Sequence, residues 1–171
     1  GLAAAEKQMP PTATGYWQTY AELSRLLDDR ETARRAYQRL IDQAAAGEND
    51  LWNYAALLQD SDPLAAAGLQ ELLFRRFGQE SGAVNALSLW QGAQAWAAAD
   101  AFLAGLTPEQ TAQLERSLPF LEQRARLAWV RGRLAVARRD YLLGLRRSPD
   151  SLRLTQGLAG VLLEQDDTVA L

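Results

Sequence analysis

Small and aromatic residues recur along the chain at a helical spacing. In each copy, a small residue is followed four positions later by an aromatic residue and, three positions after that, by a small or aliphatic residue. The copies are Ala33, Tyr37 and Leu40; Ala98, Phe102 and Gly105; Ala137, Tyr141 and Gly144; and an aliphatic version at Ala65, Leu69 and Leu72. These offsets place three side chains on one face of a helix. Successive copies lie about 32 to 39 residues apart, the length of a two-helix repeat, which predicts a helical array.

The repeat spacing divides the chain into four complete units and a partial fifth. The predicted units are residues 16–46, 51–78, 82–106, 118–149 and, in part, 150–165. Residues 1–15 contain Pro10 and Pro11 and are predicted to be a linker or the end of a preceding repeat. A short extra helix after Pro108 explains the longest interval, and a further helix is predicted to begin near Asp166, within a truncated end at 166–171. We therefore expect a fragment of a longer array.

The fold class follows from composition and pattern together. Ala, Leu, Arg, Gln and Glu dominate, and these residues favour helix almost everywhere. Small side chains let neighbouring helices approach, and the aromatic residue fills the space between hairpins. We predict an all-α superhelical solenoid of stacked antiparallel helix hairpins, in which the first helix of each hairpin lines the concave side.

The residue inventory excludes several kinds of chemistry. There is no cysteine and no histidine, so disulfides, thiolate chemistry, Cys/His zinc sites and histidine acid–base catalysis are absent. The only lysine is Lys7, and no nucleophile or phosphate-loop motif occurs. The acidic pairs are Asp28 and Asp29, Asp60 and Asp62, and Asp166 and Asp167. All fall at predicted turns, where Asp caps helices. We predict no enzymatic activity, no cofactor and no metal.

Charge is unevenly distributed along the chain. The net charge of -3 and the pI near 5.1 argue against nucleic acid as a partner. Residues 112–153 carry ten Arg and four acidic residues, a balance of +6, whereas residues 1–70 carry six bases and ten acids, a balance of -4. The basic segment is either a set of solvated, ion-paired helix faces or a patch for an acidic partner. No apolar stretch is long enough for a membrane span, so the fragment itself is predicted not to cross a bilayer.

Some first-helix positions are not needed for packing and are predicted to project into the concave groove at i, i+4 and i+7. They are Gln18, Glu22 and Arg25; Ala83, Leu87 and Trp90; and Glu122, Arg126 and Trp129. Trp beside Arg is enriched at protein interfaces, and the flat indole ring can also stack on sugars. The alternative for Trp90 and Trp129 is that they wedge between neighbouring hairpins. The candidate partner-binding residues are Gln18, Glu22, Arg25, Trp90, Glu122, Arg126 and Trp129.

Residues 16–165 resemble tetratricopeptide repeats. In the first unit, Trp17, Tyr20 and Ala21 match the spacing of a first helix, and in the fourth unit Tyr141 and Pro149 match a second helix. The resemblance implies a scaffold for protein–protein interaction.

The chaperone adaptors of this family hold a peptide carboxylate with Lys, Asn and Arg at groove positions. Here the corresponding places hold Gln18, Glu22, Glu122 and Arg126. A chaperone-tail adaptor is therefore not expected.

The Ala/Leu/Arg/Gln-rich style of Trp17–Leu40 and Ala125–Tyr141 is similar to the periplasmic repeat region of PelB-like bacterial exopolysaccharide-export outer-membrane proteins. This resemblance implies a periplasmic location within a longer outer-membrane protein. It also implies that the array docks a polysaccharide deacetylase or hydrolase near an export pore.

Functions from different classes stay open at this point. A protein-docking scaffold is favoured by the repeats and the basic segment, and a surface that guides polysaccharide is suggested by Trp90 and Trp129. The third alternative is a structural spacer within a longer repeat array.

Overall fold

The computed structural model describes residues 13–169, with side chains through residue 166, and that range contains ten α-helices and no β-strand. The helices are α1 (Thr14–Leu26), α2 (Arg30–Asp42), α3 (Glu48–Leu58), α4 (Pro63–Phe77), α5 (Glu80–Gly92), α6 (Trp96–Ala104), α7 (Pro108–Leu114), α8 (Leu118–Val130), α9 (Leu134–Arg147) and α10 (Leu152–Val169). Hairpins form from α1 and α2, α3 and α4, α5 and α6, and α8 and α9. The prediction of an all-α array of stacked hairpins is confirmed. The predicted linker lies outside the described residues except for 13–15.

Acidic residues cap the helices that follow the first two hairpin turns. The Asp29 carboxylate accepts a hydrogen bond from the backbone N–H of Thr32 at 3.1 Å, and Asp62 accepts one from Ala65 at 3.1 Å. Hydrogen bonds from the side chain and the backbone of Thr32 lower the pKa of Asp29. The predicted capping role is confirmed for both residues. 

The prediction of a turn near Asp166 is wrong. Helix α10 runs through this position to Val169. Residues 161–169 contain neither Gly nor Pro, so nothing in the local sequence interrupts the backbone hydrogen bonds of the helix.

Aromatic residues of the second helices fill the space between units. Tyr37 of α2 stacks on Tyr54 of α3 with ring centroids 5.4 Å apart, and both are buried. Phe102 of α6 packs edge-on against Phe74 of α4 at 5.9 Å. Tyr141 of α9 lies against the Cα of Gly157 in α10, where a methyl group would clash with the phenol ring. The inter-hairpin role predicted for these aromatic residues is confirmed.

The third unit departs from the predicted register. Ala98 is only partly buried and Gly105 is exposed at the end of α6, whereas the neighbouring Ala99 is fully buried. Helix α6 has only nine residues, so the last position of the pattern falls beyond its end.

Side-chain hydrogen bonds that join one unit to the next recur at almost the same sequence separation. Gln18 bonds Asp50 across 32 residues, Gln91 bonds Gln123 across 32, and Arg133 bonds Asp100 across 33. The period read from the hydrophobic pattern is thus also the period of the polar contacts that join one hairpin to the next.

Candidate partner-binding face

The first helices of successive units adjoin along one side of the array. This side, formed by α1, α3, α5, α8 and α10, is called the first-helix face below. Its junctions are polar. The Gln18 amide donates to Asp50 at 2.9 Å between α1 and α3, Gln91 donates to the Gln123 side chain at 2.9 Å between α5 and α8, and Arg153 of α10 pairs with a carboxylate of α8 at 2.8 Å.

An open cleft of 570 Å³ lies between α1 and α3 on this face. Its lining residues are Gln18, Thr19, Glu22, Leu23, Arg25, Asn49, Asp50 and Asn53. The structure therefore brings the predicted residues Gln18, Glu22 and Arg25 together, and it adds three residues of α3, each of which carries an amide or a carboxylate.

A two-pronged ion pair orients the charges in the α1–α3 cleft. Arg25 donates to Glu22 through Nε at 3.1 Å and Nη2 at 2.6 Å. The hydrogen bond from Arg25 lowers the pKa of Glu22, and the same contact raises the pKa of Arg25. Asn53 of α3 donates to the same carboxylate at 3.4 Å. Because the two opposite charges are joined side by side, the cleft offers oriented polar atoms rather than a strong net field.

A buried phenol lies next to this cleft. Tyr37 is 2% exposed, and its hydroxyl lies beside the Glu22 carboxylate and the Asn53 amide. Burial raises the pKa of this phenol, and the nearby Glu22 carboxylate raises it further while Arg25 opposes the effect.

The predicted exposure of Trp90 in the groove is wrong. Trp90 is 6% exposed and packs against Phe102 with ring centroids 5.5 Å apart, and the neighbouring candidates Ala83 and Leu87 are fully buried. Helix α5 packs against α4, α6 and α8, so these positions lie within the hydrophobic core. A binding role for Trp90 at the surface has no support from this geometry.

The predicted residues of α8 lie at the junction with α10, two units from the α1–α3 cleft. Glu122 pairs with Arg153 at 2.8 Å. Trp129 is partly buried, lies over Gly160 and donates its indole N–H to Glu164. This arrangement matches the alternative in which Trp129 wedges between neighbouring hairpins. Arg126 is exposed and forms none of the ion pairs found among residues 13–166. The predicted residues thus form two separate groups rather than one site.

Most of the basic segment is engaged within the protein. Ion pairs or hydrogen bonds involve Arg124, Arg131, Arg133, Arg139, Arg147 and Arg153. Arg116, Arg126, Arg138 and Arg146 are exposed and take part in none of the ion pairs among the described side chains. The excess charge available to a partner is therefore smaller than the sequence count of +6.

Sequence reasoning missed a second cleft, of 230 Å³, between α3 and α5. Its most prominent residue is Trp52, which is 47% exposed. The signal was present in the pattern, because Leu51, Tyr54, Ala55 and Leu58 already complete the buried face of α3 at i, i+3, i+4 and i+7. Trp52 lies outside that face, so its side chain could be expected on the exposed side of α3.

Neither a metal site nor a membrane span is found among the described residues. Within the described residues, no group of three acidic side chains is arranged to hold a metal ion. No helix in the same part of the chain is both long and apolar enough to span a bilayer.

Comparison with known proteins agrees with this architecture. A crystal structure of the MamA protein superimposes with a TM-score of 0.67 at 15% sequence identity, covering 92% of this chain and 86% of that chain. At this identity the similarity shows a shared fold. No curated protein matches the sequence significantly. The profile of the tetratricopeptide repeat family matches residues 2–171. The chain therefore belongs to the tetratricopeptide repeat family, whose members are typically non-catalytic scaffolds for protein–protein interaction.

Proposed function

We propose that this array docks a protein partner on its first-helix face, with the α1–α3 cleft as the main contact. The observation that carries the proposal is the open polar cleft itself, in which Arg25 and Asn53 hold the Glu22 carboxylate in place. Polar atoms held in place by their neighbours lose little conformational entropy when a partner binds.

The proposed partner is a polysaccharide deacetylase or hydrolase of a bacterial exopolysaccharide secretion system, and the proposed location is the periplasm. Support comes from the similarity of Trp17–Leu40 and Ala125–Tyr141 to the repeat region of PelB-like export proteins. In this role the array holds the enzyme in place and performs no chemistry itself.

The α1–α3 cleft is tested with Asn53→Ala, because Asn53 supplies an amide to the cleft without belonging to the buried core. We expect the variant to bind the deacetylase or hydrolase about tenfold more weakly in biolayer interferometry, with an unchanged helical circular dichroism spectrum. Affinity equal to that of the parent protein would remove this cleft from the docking surface.

Arg126 gives the electrostatic test of the same function. We expect Arg126→Glu to weaken capture of an acidic partner surface at low salt, with the difference shrinking as salt is added, because screening weakens exposed charge pairs. The matched control is Arg146→Glu, the same charge change at an exposed residue of the second helix α9. Equal loss in both variants would mean that net charge rather than the first-helix face governs capture.

A further inference from the structure

We infer that the cleft between α3 and α5 is a binding site for an uncharged sugar ring, with Trp52 as the stacking surface. The inference starts from the environments of the tryptophans. Trp17 and Trp90 are buried in the core, Trp96 is partly buried against it, and Trp129 lies over Gly160. Trp52 is 47% exposed and lines a cleft, so a large flat ring remains available to a ligand.

The lining of this cleft is free of charge. It consists of Trp52, Ala56, Gln59, Gln70, Asn85, Ser88 and Leu89. Charged residues make up 23% of the chain, and the α1–α3 cleft on the same face contains Glu22, Arg25 and Asp50. An uncharged lining provides no ion-pair partner for an anion or a cation. When a neutral ligand covers the cleft, no charged side chain has to be desolvated.

The polar groups of the cleft match the chemistry of sugar hydroxyls. Asn85 Nδ2 donates to Gln70 Oε1 at 3.4 Å, which leaves the Asn85 carbonyl oxygen and the Gln70 amide N–H groups for other partners. Gln59 adds a second carboxamide and Ser88 a hydroxyl. Each sugar hydroxyl both donates and accepts a hydrogen bond, so a mixed set of amides beside an aromatic ring complements it.

The size of the cleft also favours a small ring. At 230 Å³ it lies below the roughly 300 Å³ at which pockets for drug-sized ligands begin. A sugar residue of a longer chain can occupy such a space while its neighbours extend into solvent along the array. A folded protein surface would instead be expected to use a wider contact area.

This site is independent of the proposed docking function. No lining residue is shared between the α3–α5 cleft and the α1–α3 cleft. If one proposal fails, the other is therefore unaffected, and different variants test the two.

The test uses the 171-residue chain and the tetramer of N-acetylglucosamine as a neutral probe. Saturation-transfer NMR and tryptophan fluorescence are recorded up to about 10 mM sugar, above the roughly millimolar dissociation constant expected for one stacked ring. We expect binding that is the same at low and high salt. Trp52→Ala should weaken it at least about tenfold, and Trp52→Phe should weaken it less because a smaller ring is kept. Leu163→Ala, at a 68% exposed position of α10, is the control and should bind like the parent chain.

Two results would overturn the assignment. The first is no response to the sugar at the highest concentration, or the same response in Trp52→Ala and the parent chain. The second is binding of extended peptides, lost in Trp52→Ala, without a response to sugar, which would assign the cleft to a protein partner. The melting temperature of each variant is measured alongside, so that a folding defect is recognised as such.

Discussion

At Gly82 the backbones of α4 and α5 approach each other more closely than a side chain would allow. A Cβ atom at this position would lie 2.5 Å from the carbonyl oxygen of Gln70 and 3.0 Å from the backbone nitrogen of Phe74. Both obstacles are main-chain atoms, which cannot turn aside as a flexible side chain can. Glycine at this residue therefore sets the packing distance between the second and third units.

We expect Gly82→Ala to lower the free energy of unfolding by about 1–3 kcal/mol, because the two helices must separate to admit the methyl group. Gly68→Ala in α4 is the matched control. A Cβ there meets nothing within 4 Å, so alanine should stabilise the helix by about 0.5–1 kcal/mol. Urea unfolding followed by circular dichroism measures both changes. An unchanged free energy of unfolding in Gly82→Ala would show that the α4–α5 contact is looser than the distances at Gly82 indicate.

Among the helices, Arg124 of α8 connects three elements through its guanidinium group. It bonds Asp140 of α9 through Nε at 2.7 Å and through Nη2 at 3.0 Å, and it bonds Glu115 at the end of α7 at 2.7 Å. Burial lowers the pKa of Arg124, but the hydrogen bonds to Asp140 and Glu115 outweigh this, and the pKa is raised overall. Asp140 is fully buried, so this contact fixes how the short helix α7 and the hairpin α8–α9 fit together.

We expect Arg124→Met to lower the free energy of unfolding by about 3 kcal/mol, because it leaves the buried carboxylate of Asp140 without its main partner. Arg139 also contacts Asp140, at 3.0 Å, but its side chain is 62% exposed. The control Arg139→Met should therefore cost less than about 1 kcal/mol. Thermal and urea unfolding of the two variants compare these contributions, and equal losses would contradict the central role of Arg124.

Over the whole molecule, buried phenols make stability sensitive to alkaline pH. Tyr37, Tyr54 and Tyr141 are buried in different hairpins, and burial is the largest cause that raises the pKa of each. In the unfolded chain these groups ionise near their ordinary pKa of about 10, whereas in the folded protein they ionise at higher pH. The stabilising contribution of each neutral phenol is complete below the unfolded pKa and is lost as the pH rises through the folded pKa.

We expect the urea midpoint of unfolding to fall between about pH 9 and pH 11. In Tyr141→Phe, which cannot ionise at that position, the fall over the same range should be smaller. Tyr54 donates to Gln38 at 3.3 Å and is less suitable for this test, because removal of its hydroxyl also breaks a hydrogen bond. A midpoint that is independent of pH in this range would contradict the argument.

Local patterns in the sequence are enough to predict the repeat period, the helical class and the buried face of most helices, because helix periodicity and capping act within a few residues of the chain. Ala33, Tyr37 and Leu40 are buried as their spacing predicts, and Asp29 and Asp62 cap the helices that follow. The end of α10 was misjudged at Asp166, since an acidic pair also fits within a helix when no Gly or Pro follows.

The faces that stay open to a partner could not be predicted in this way, because they depend on how the hairpins stack. Leu87 and Arg126 occupy the same place in the predicted groove pattern, yet Leu87 is fully buried and Arg126 is exposed. Trp52, which sequence reasoning did not select, lines a cleft that exists only because α5 lies beside α3. The sequence of one helix specifies its apolar side, whereas the exposure of the remaining surface depends on how neighbouring hairpins stack against it.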